Sequence, residues 1–132
     1  MISAAVLMAD ISSKPTTLRE ALVEARICLK AQTIKLIQNK KIPKGDVLNV
    51  ALCAGILAAK RTDELIPLCH PLPLEHIGIN FKLEKEAIVI TARCKTKAKT
   101  GVEMEAMLAC SLSALTIYDM CKSVDRGAII KE

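Results

Sequence analysis

Tryptophan is absent from this 132-residue sequence, and tyrosine and phenylalanine occur once each. A core without those rings has to be built from Leu, Ile, Val, Ala and Met, and there is no aromatic platform on which the bases of a nucleic acid could stack. The six cysteines, at 28, 53, 69, 94, 110 and 121, include no CxxC pair, so their spacing spells neither a zinc ribbon nor a dense secreted framework. They read as reduced, mostly buried thiols of a cytoplasmic protein, with no metal called for. The apolar opening from Met1 to Ala9 lacks the basic flank of a signal peptide and is too short to span a bilayer, so no membrane partner is expected. Runs of like charge are also missing. The excess of 19 basic over 14 acidic side chains favours an anionic partner without amounting to a nucleic-acid signature.

What is present is aliphatic and patterned. Hydrophobic residues make up 52% of the chain against 25% charged, which excludes disorder and suggests buried interfaces. Five prolines and five glycines lie scattered with no linker or repeat between them, so residues 1–132 read as one domain. Alternation predicts a strand over Leu18 to Lys30 and a hairpin of Ile77 to Lys82 with Ala87 to Cys94 around Glu84-Lys85-Glu86. Helical spacing predicts a short helix over Gln32 to Lys40 and a largely buried one from Val47 to Lys60, capped by Asp46, whose Gly55 admits a close neighbour. A long helix is expected from Thr100 to Val124, followed by a closing strand at Gly127 to Ile130. Three prolines make Ile66 to Leu74 a stiff irregular loop. Helices interleaved with an antiparallel hairpin give an α+β sandwich with helices on one face of the sheet.

Candidate chemistry gathers on the long helix and the loops. Glu105, Leu108, Leu112, Leu115, Asp119 and Lys122 share one seam, and the adjacent row from Met104 through Met107 and Tyr118 is also largely apolar, so the helix reads as buried nearly all round. Asp119 and Lys122, three apart, form either an ordinary intrahelical ion pair or a proton acceptor beside a cation. Glu105 heads the apolar stripe, where only a buried partner or a ligand justifies it. Thr100-Gly101-Val102-Glu103 fits a capping box, which makes Glu103 structural. His70, held between Cys69 and Pro71, is a proton donor or acceptor in a rigid frame, or else a hydrogen-bonded structural residue. His76, just before a strand, looks ordinary. A nucleophilic Cys69–His70 pair is weak, because adjacent side chains seldom turn toward one another. Lys44-Gly45-Asp46 at a helix start suits a phosphate, with Lys60-Arg61 and Arg19 as further cations, although a solvated charge is the default for each.

Taken in order, Lys44-Gly45-Asp46-Val47, Ala58-Ala59-Lys60-Arg61-Thr62, Leu65-Ile66-Pro67-Leu68-Cys69-His70-Pro71-Leu72, Lys99-Thr100-Gly101-Val102-Glu103-Met104-Glu105-Ala106 and Leu115-Thr116-Ile117-Tyr118-Asp119-Met120-Cys121-Lys122 resemble the MoaC family, the cyclic pyranopterin monophosphate synthases of molybdenum cofactor biosynthesis. The resemblance runs from about Met8 to the end of the chain, which implies that residues 1–8 are an N-terminal extension. It implies a ferredoxin-like α+β fold, a homohexamer of dimers with active sites between subunits, and a lyase that rearranges 3′,8-cyclo-7,8-dihydro-GTP to cyclic pyranopterin monophosphate and pyrophosphate without a metal or redox cofactor. It puts the catalytic aspartate at Asp119 and its lysine partner at Lys122, with substrate contacts at Leu68, Cys69, His70, Met104, Glu105, Lys44 and Arg19. Family members usually carry a basic, glycine-rich tail with a further site lysine, whereas this sequence ends at Ile130-Lys131-Glu132. The expectation is that Lys131 does part of that work or that its loss is tolerated, with turnover rather than fold at stake. A nucleotide-binding relative impaired in catalysis is the first alternative. An RNA-binding module of the same fold is the second, opposed by the missing strand aromatics.

Overall fold

A computed structural model describes residues 5–131; residues 1–4, half of the expected extension, and Glu132 lie outside the described residues. In β1 (Thr17–Cys28) alternate side chains, Ala21, Val23, Ala25 and Ile27, join the core, while Leu18 and Leu22 stay on the open face. The strand stops short of the expected Lys30, because Lys30 is already the N-cap residue of α1 (Ala31–Gln38). Lys40, expected inside that helix, instead turns the chain with a left-handed φ of 54°. The next helix, α2 (Val47–Lys60), has the predicted bounds, and Asp46 caps it by accepting from the Asn49 amide at 3.4 Å. A single turn, α3 (Thr62–Leu65), follows unanticipated.

The hairpin forms as β2 (Leu74–Leu83) and β3 (Ala87–Ala98), both longer than expected. A register shift between Leu74 and His76 interrupts the alternation, so the sequence pattern starts only at Ile77 and His76 lies within the strand rather than before it. The long helix, α4 (Glu103–Cys121), is three residues shorter at each end than expected, and β4 (Ile129–Lys131) closes the chain. No capping box forms, since Val102 is the N-cap residue and no side chain caps the helix.

The sheet runs β2-β3-β1-β4 with every pairing antiparallel, and β4 covers β1 only from Arg26 to Cys28. Since β1 and β2 both oppose β3, they run parallel to each other on its two sides. Helices α2 and α4 cross from β1 to β2 and from β3 to β4, giving the ferredoxin-like α+β sandwich. The two helices pack antiparallel through small residues. Ser113 Oγ donates to the Ala51 carbonyl at 3.0 Å, and one turn on, a Cβ at Gly55 would lie 2.9 Å from the Ala109 carbonyl oxygen.

That close approach corrects the expected seam of α4. The buried side carries Ala106, Ala109, Cys110, Ser113, Ile117 and Cys121, whereas Leu115 is 53% exposed and Asp119 and Lys122 face water. Small residues win the interface because backbone proximity leaves no room for leucine, and period alone cannot distinguish two adjacent apolar rows. On α2, expected to be mostly buried, Val50, Cys53 and Leu57 are exposed. Among the described residues no helix is long and apolar enough to cross a membrane.

Candidate active site

The candidate residues fall into two groups at opposite ends of α4. At its C-terminal end, Asp119 Oδ1 lies 3.0 Å from Lys122 Nζ and Oδ2 lies 3.2 Å from Lys44 Nζ, which also donates to the Asp119 carbonyl at 3.0 Å. The hydrogen bonds from Lys122 and then Lys44 hold the Asp119 carboxyl below the usual aspartate range. Two cations around one carboxylate leave a net positive niche suited to an anion. Lys44 is aimed by its loop: Ile42 is buried beside it, and Gly45 takes a φ of 122° that a side chain would resist. At the start of α2 the Asp46 carboxylate accepts from the Asn49 amide, beside the Lys44 side chain.

At the other end, the first turn of α4 meets the proline loop. Glu105 is 3% exposed; Cys69 Sγ donates to its Oε2 at 3.9 Å, and its Oε1 is buried without a hydrogen-bond partner. Burial pushes the Glu105 carboxyl upward, and the nearby Glu103 and Asp63 add to this. Burial and then Glu105 raise the Cys69 thiol in turn, and Cys94, also near that carboxyl, is pushed up to about 11 chiefly by burial. A raised thiol facing a carboxyl rather than the His70 ring removes the Cys69–His70 nucleophile reading. His70 Nε2 is engaged with the Ala9 carbonyl oxygen at 2.6 Å.

Around these groups lies a cleft of about 300 Å³, bordered by Leu68, Cys69, His70 and Met104 and by Ile11 and Lys14 of the N-terminal segment. Arg19 sits on the core-facing side of β1 opposite Thr96, which also pairs with Leu74, so it belongs to this end. Its Nε is buried without a hydrogen-bond partner. Hollows of about 350 and 360 Å³ lie elsewhere, beside Cys28 and Asp125 and on the open sheet face beside His76 and Arg93. Volume alone therefore does not single out one hollow; what marks this cleft is the His70 imidazole on its rim and, behind Cys69, the buried Glu105 carboxyl.

Fourteen residues of helix separate Glu105 from Asp119, a rise of about 21 Å. Within one chain the two groups cannot act on the same reacting atom. Sequence reasoning had Glu103 as a cap, yet the structure puts it on the rim of the cleft with its carboxylate folded against Gly101. Lys14 and the segment around Ile11 were missed because that segment is irregular and has no periodic signal. Among the described residues no group of three or more His, Cys, Asp or Glu side chains is placed to hold a metal ion.

The profile of the MoaC family matches residues 8–132. The cyclic pyranopterin monophosphate synthase of Brevibacillus brevis (strain 47 / JCM 6285 / NBRC 100599) is 52% identical over 124 residues, spanning 93% of this chain and 78% of the relative.

Proposed function

This chain belongs to the MoaC family, and from that premise we propose that it acts as a cyclic pyranopterin monophosphate synthase in molybdenum cofactor biosynthesis, converting 3′,8-cyclo-7,8-dihydro-GTP to the cyclic pyranopterin and pyrophosphate. The step is a rearrangement of the purine-derived ring by proton transfers together with a displacement at phosphorus. A hydroxyl of the sugar-derived chain attacks the α-phosphorus, the bond to the bridging oxygen breaks, pyrophosphate leaves, and the hydroxyl proton passes to a base. The balance needs no oxidant or reductant.

The observation that carries the assignment of roles is the Lys44–Asp119–Lys122 group. Lys122, paired with Asp119, is the main proton donor or acceptor, and Lys44 offers its charge to phosphate oxygens. His70 and Glu105 orient the base or the ribose-derived carbons beside Leu68, Cys69 and Met104. Arg19 presents its unpaired Nε to a phosphate. With purified protein and enzymatically made substrate, pyrophosphate and pterin are expected together, and Lys122→Ala is expected to lower turnover by about 100-fold or more. Near-normal turnover in that variant would remove Lys122 from its role, and binding without product in the wild type would make the chain a nucleotide-binding relative.

The separation of the two groups along α4 supports a site shared between subunits of a homohexamer, each supplying one end. Mixing tests this. Lys122→Ala and His70→Ala subunits, inactive alone, are expected to recover about one quarter of wild-type activity when randomly paired, because half the dimers are mixed and each restores one of two sites. No recovery would mean that the two groups do not meet across a subunit interface, and the shared-site reading fails. A small soluble substrate and six free cysteines fit a cytoplasmic setting.

A further inference from the structure

Just beyond the catalytic end of α4, Asp125 is 1% exposed and has no place in the chemistry above. Its Oδ2 accepts from the Lys30 amide at 2.8 Å and from Thr33 Oγ1 at 2.9 Å, and its Oδ1 accepts from the Gly127 amide at 3.2 Å. The first two donors belong to the opening turn of α1, which has no cap from its own flanking residue. Asp125 therefore caps, from 95 residues away, a helix of only eight residues. A helix that short does not hold its shape on local interactions.

The two sides of this contact lead to the two lysines on Asp119. On one side, the Asp125 amide returns to the Cys121 carbonyl at 2.9 Å, closing the turn that contains Lys122. On the other, α1 passes through Lys40 in its left-handed conformation, where the Lys41 amide bonds the Leu36 carbonyl at 2.8 Å, and then through buried Ile42 to Lys44. Lys44 bonds both the side chain and the carbonyl of Asp119. The path is a closed loop of structure, and Asp125 is where it is fastened.

We propose that Asp125 is a positioning residue, whose bonds to Lys30 and Thr33 fix α1 against the end of α4 so that Lys44 and Lys122 meet on Asp119. Asp125 acts through these residues and touches no substrate. The inference rests on the assignment of Asp119 and its lysines as the acid–base group, so the test has one arm that needs no turnover.

Thr33→Val removes one donor while keeping the shape of the side chain, and Thr33→Ser restores the hydroxyl. Asp125→Asn is a second, stronger disruption. In the unliganded protein, the titration midpoint of the Asp119 carboxyl is followed by carbon-detected NMR and assigned with Asp119→Asn. Lys44 and Lys122 are the charged groups that face this carboxyl among the described residues. Thr33→Val is expected to raise the midpoint by about half a pH unit or more toward that of a free aspartate, and Thr33→Ser to return it. In the turnover assay, Thr33→Val is expected to lower kcat by about tenfold with KM within about twofold, again with rescue by serine. Should Thr33→Val lower only thermal stability, with the midpoint and kcat unchanged, Asp125 is purely structural and the proposal fails. If Asp125→Asn does not fold, the threonine pair carries the test. If the wild type shows no turnover, the synthase assignment falls while the titration still decides the role of Asp125.

Discussion

Two carboxyls on α4 respond to their surroundings in opposite directions, and the sign of each can be tested. Asp119 is half-exposed between lysines that depress it, so the favourable pairing is present above the ordinary aspartate value of 3.8 and is lost as pH falls through the lower folded value. Exposure makes this a matter of charge state in the site, with little effect on stability. Glu105 is raised by burial, so its cost is absent below the ordinary value of 4.5 and grows as pH rises from there toward the folded value. Glu105→Gln is therefore expected to melt at or above the wild-type temperature at pH 7 while losing activity, and the difference in melting temperature is expected to close at pH 4. Calorimetry at the two pH values checks this, and a variant that melts lower at pH 7 would mean that Glu105 is stabilised by a partner. That a carboxyl sits at the start of an apolar stripe was legible in the sequence. That its Oε1 is left without a partner was not, because this depends on how the proline loop, forty residues upstream at most, comes to lie over the first turn of the helix.

At the scale of elements, the α2–α4 contact leaves little room at Gly55. A methyl group at Gly55 would press on the Ala109 carbonyl oxygen at 2.9 Å and on Ile79 Cδ1 at 2.6 Å, and the backbone atom has nowhere to move without separating the helices. Gly55→Ala is expected to cost about 1–3 kcal/mol by overpacking, read from the midpoint of urea unfolding with an unchanged slope. The glycine and its meaning could be read from an alanine-rich helical run. The partner's small residues could not, since α4 offers two apolar rows and only the depth of the approach decides that Ala106, Ala109 and Ser113 turn inward. Local chemistry misled in the same region: Thr100 and Glu103 have the spacing of a capping box, but the helix starts after Val102. The Asp46 cap on α2 was read correctly because nothing from another element competes with it.

Over the whole molecule, apolar side chains remain exposed on the outer faces of α2 and α4. Leu57 on α2 and Leu115 on α4 are 51% and 53% exposed, and Val50 and Met107 on the same two helices are exposed as well. If this face joins subunits in the proposed hexamer, Leu57→Glu with Leu115→Glu is expected to yield smaller assemblies by sedimentation, with turnover lost in parallel and the secondary structure retained. An unchanged assembly would assign the contact to another face. The reach of β4 has a separate consequence. It covers β1 only at Arg26 to Cys28, and among the described residues no strand pairs the same edge from Thr17 to Ala25. Such an edge is a template for any chain in extended form, so refolding at high concentration competes with mispairing, and the exposed carboxylates of Glu20 and Glu24 along that stretch are the kind of charge that discourages it.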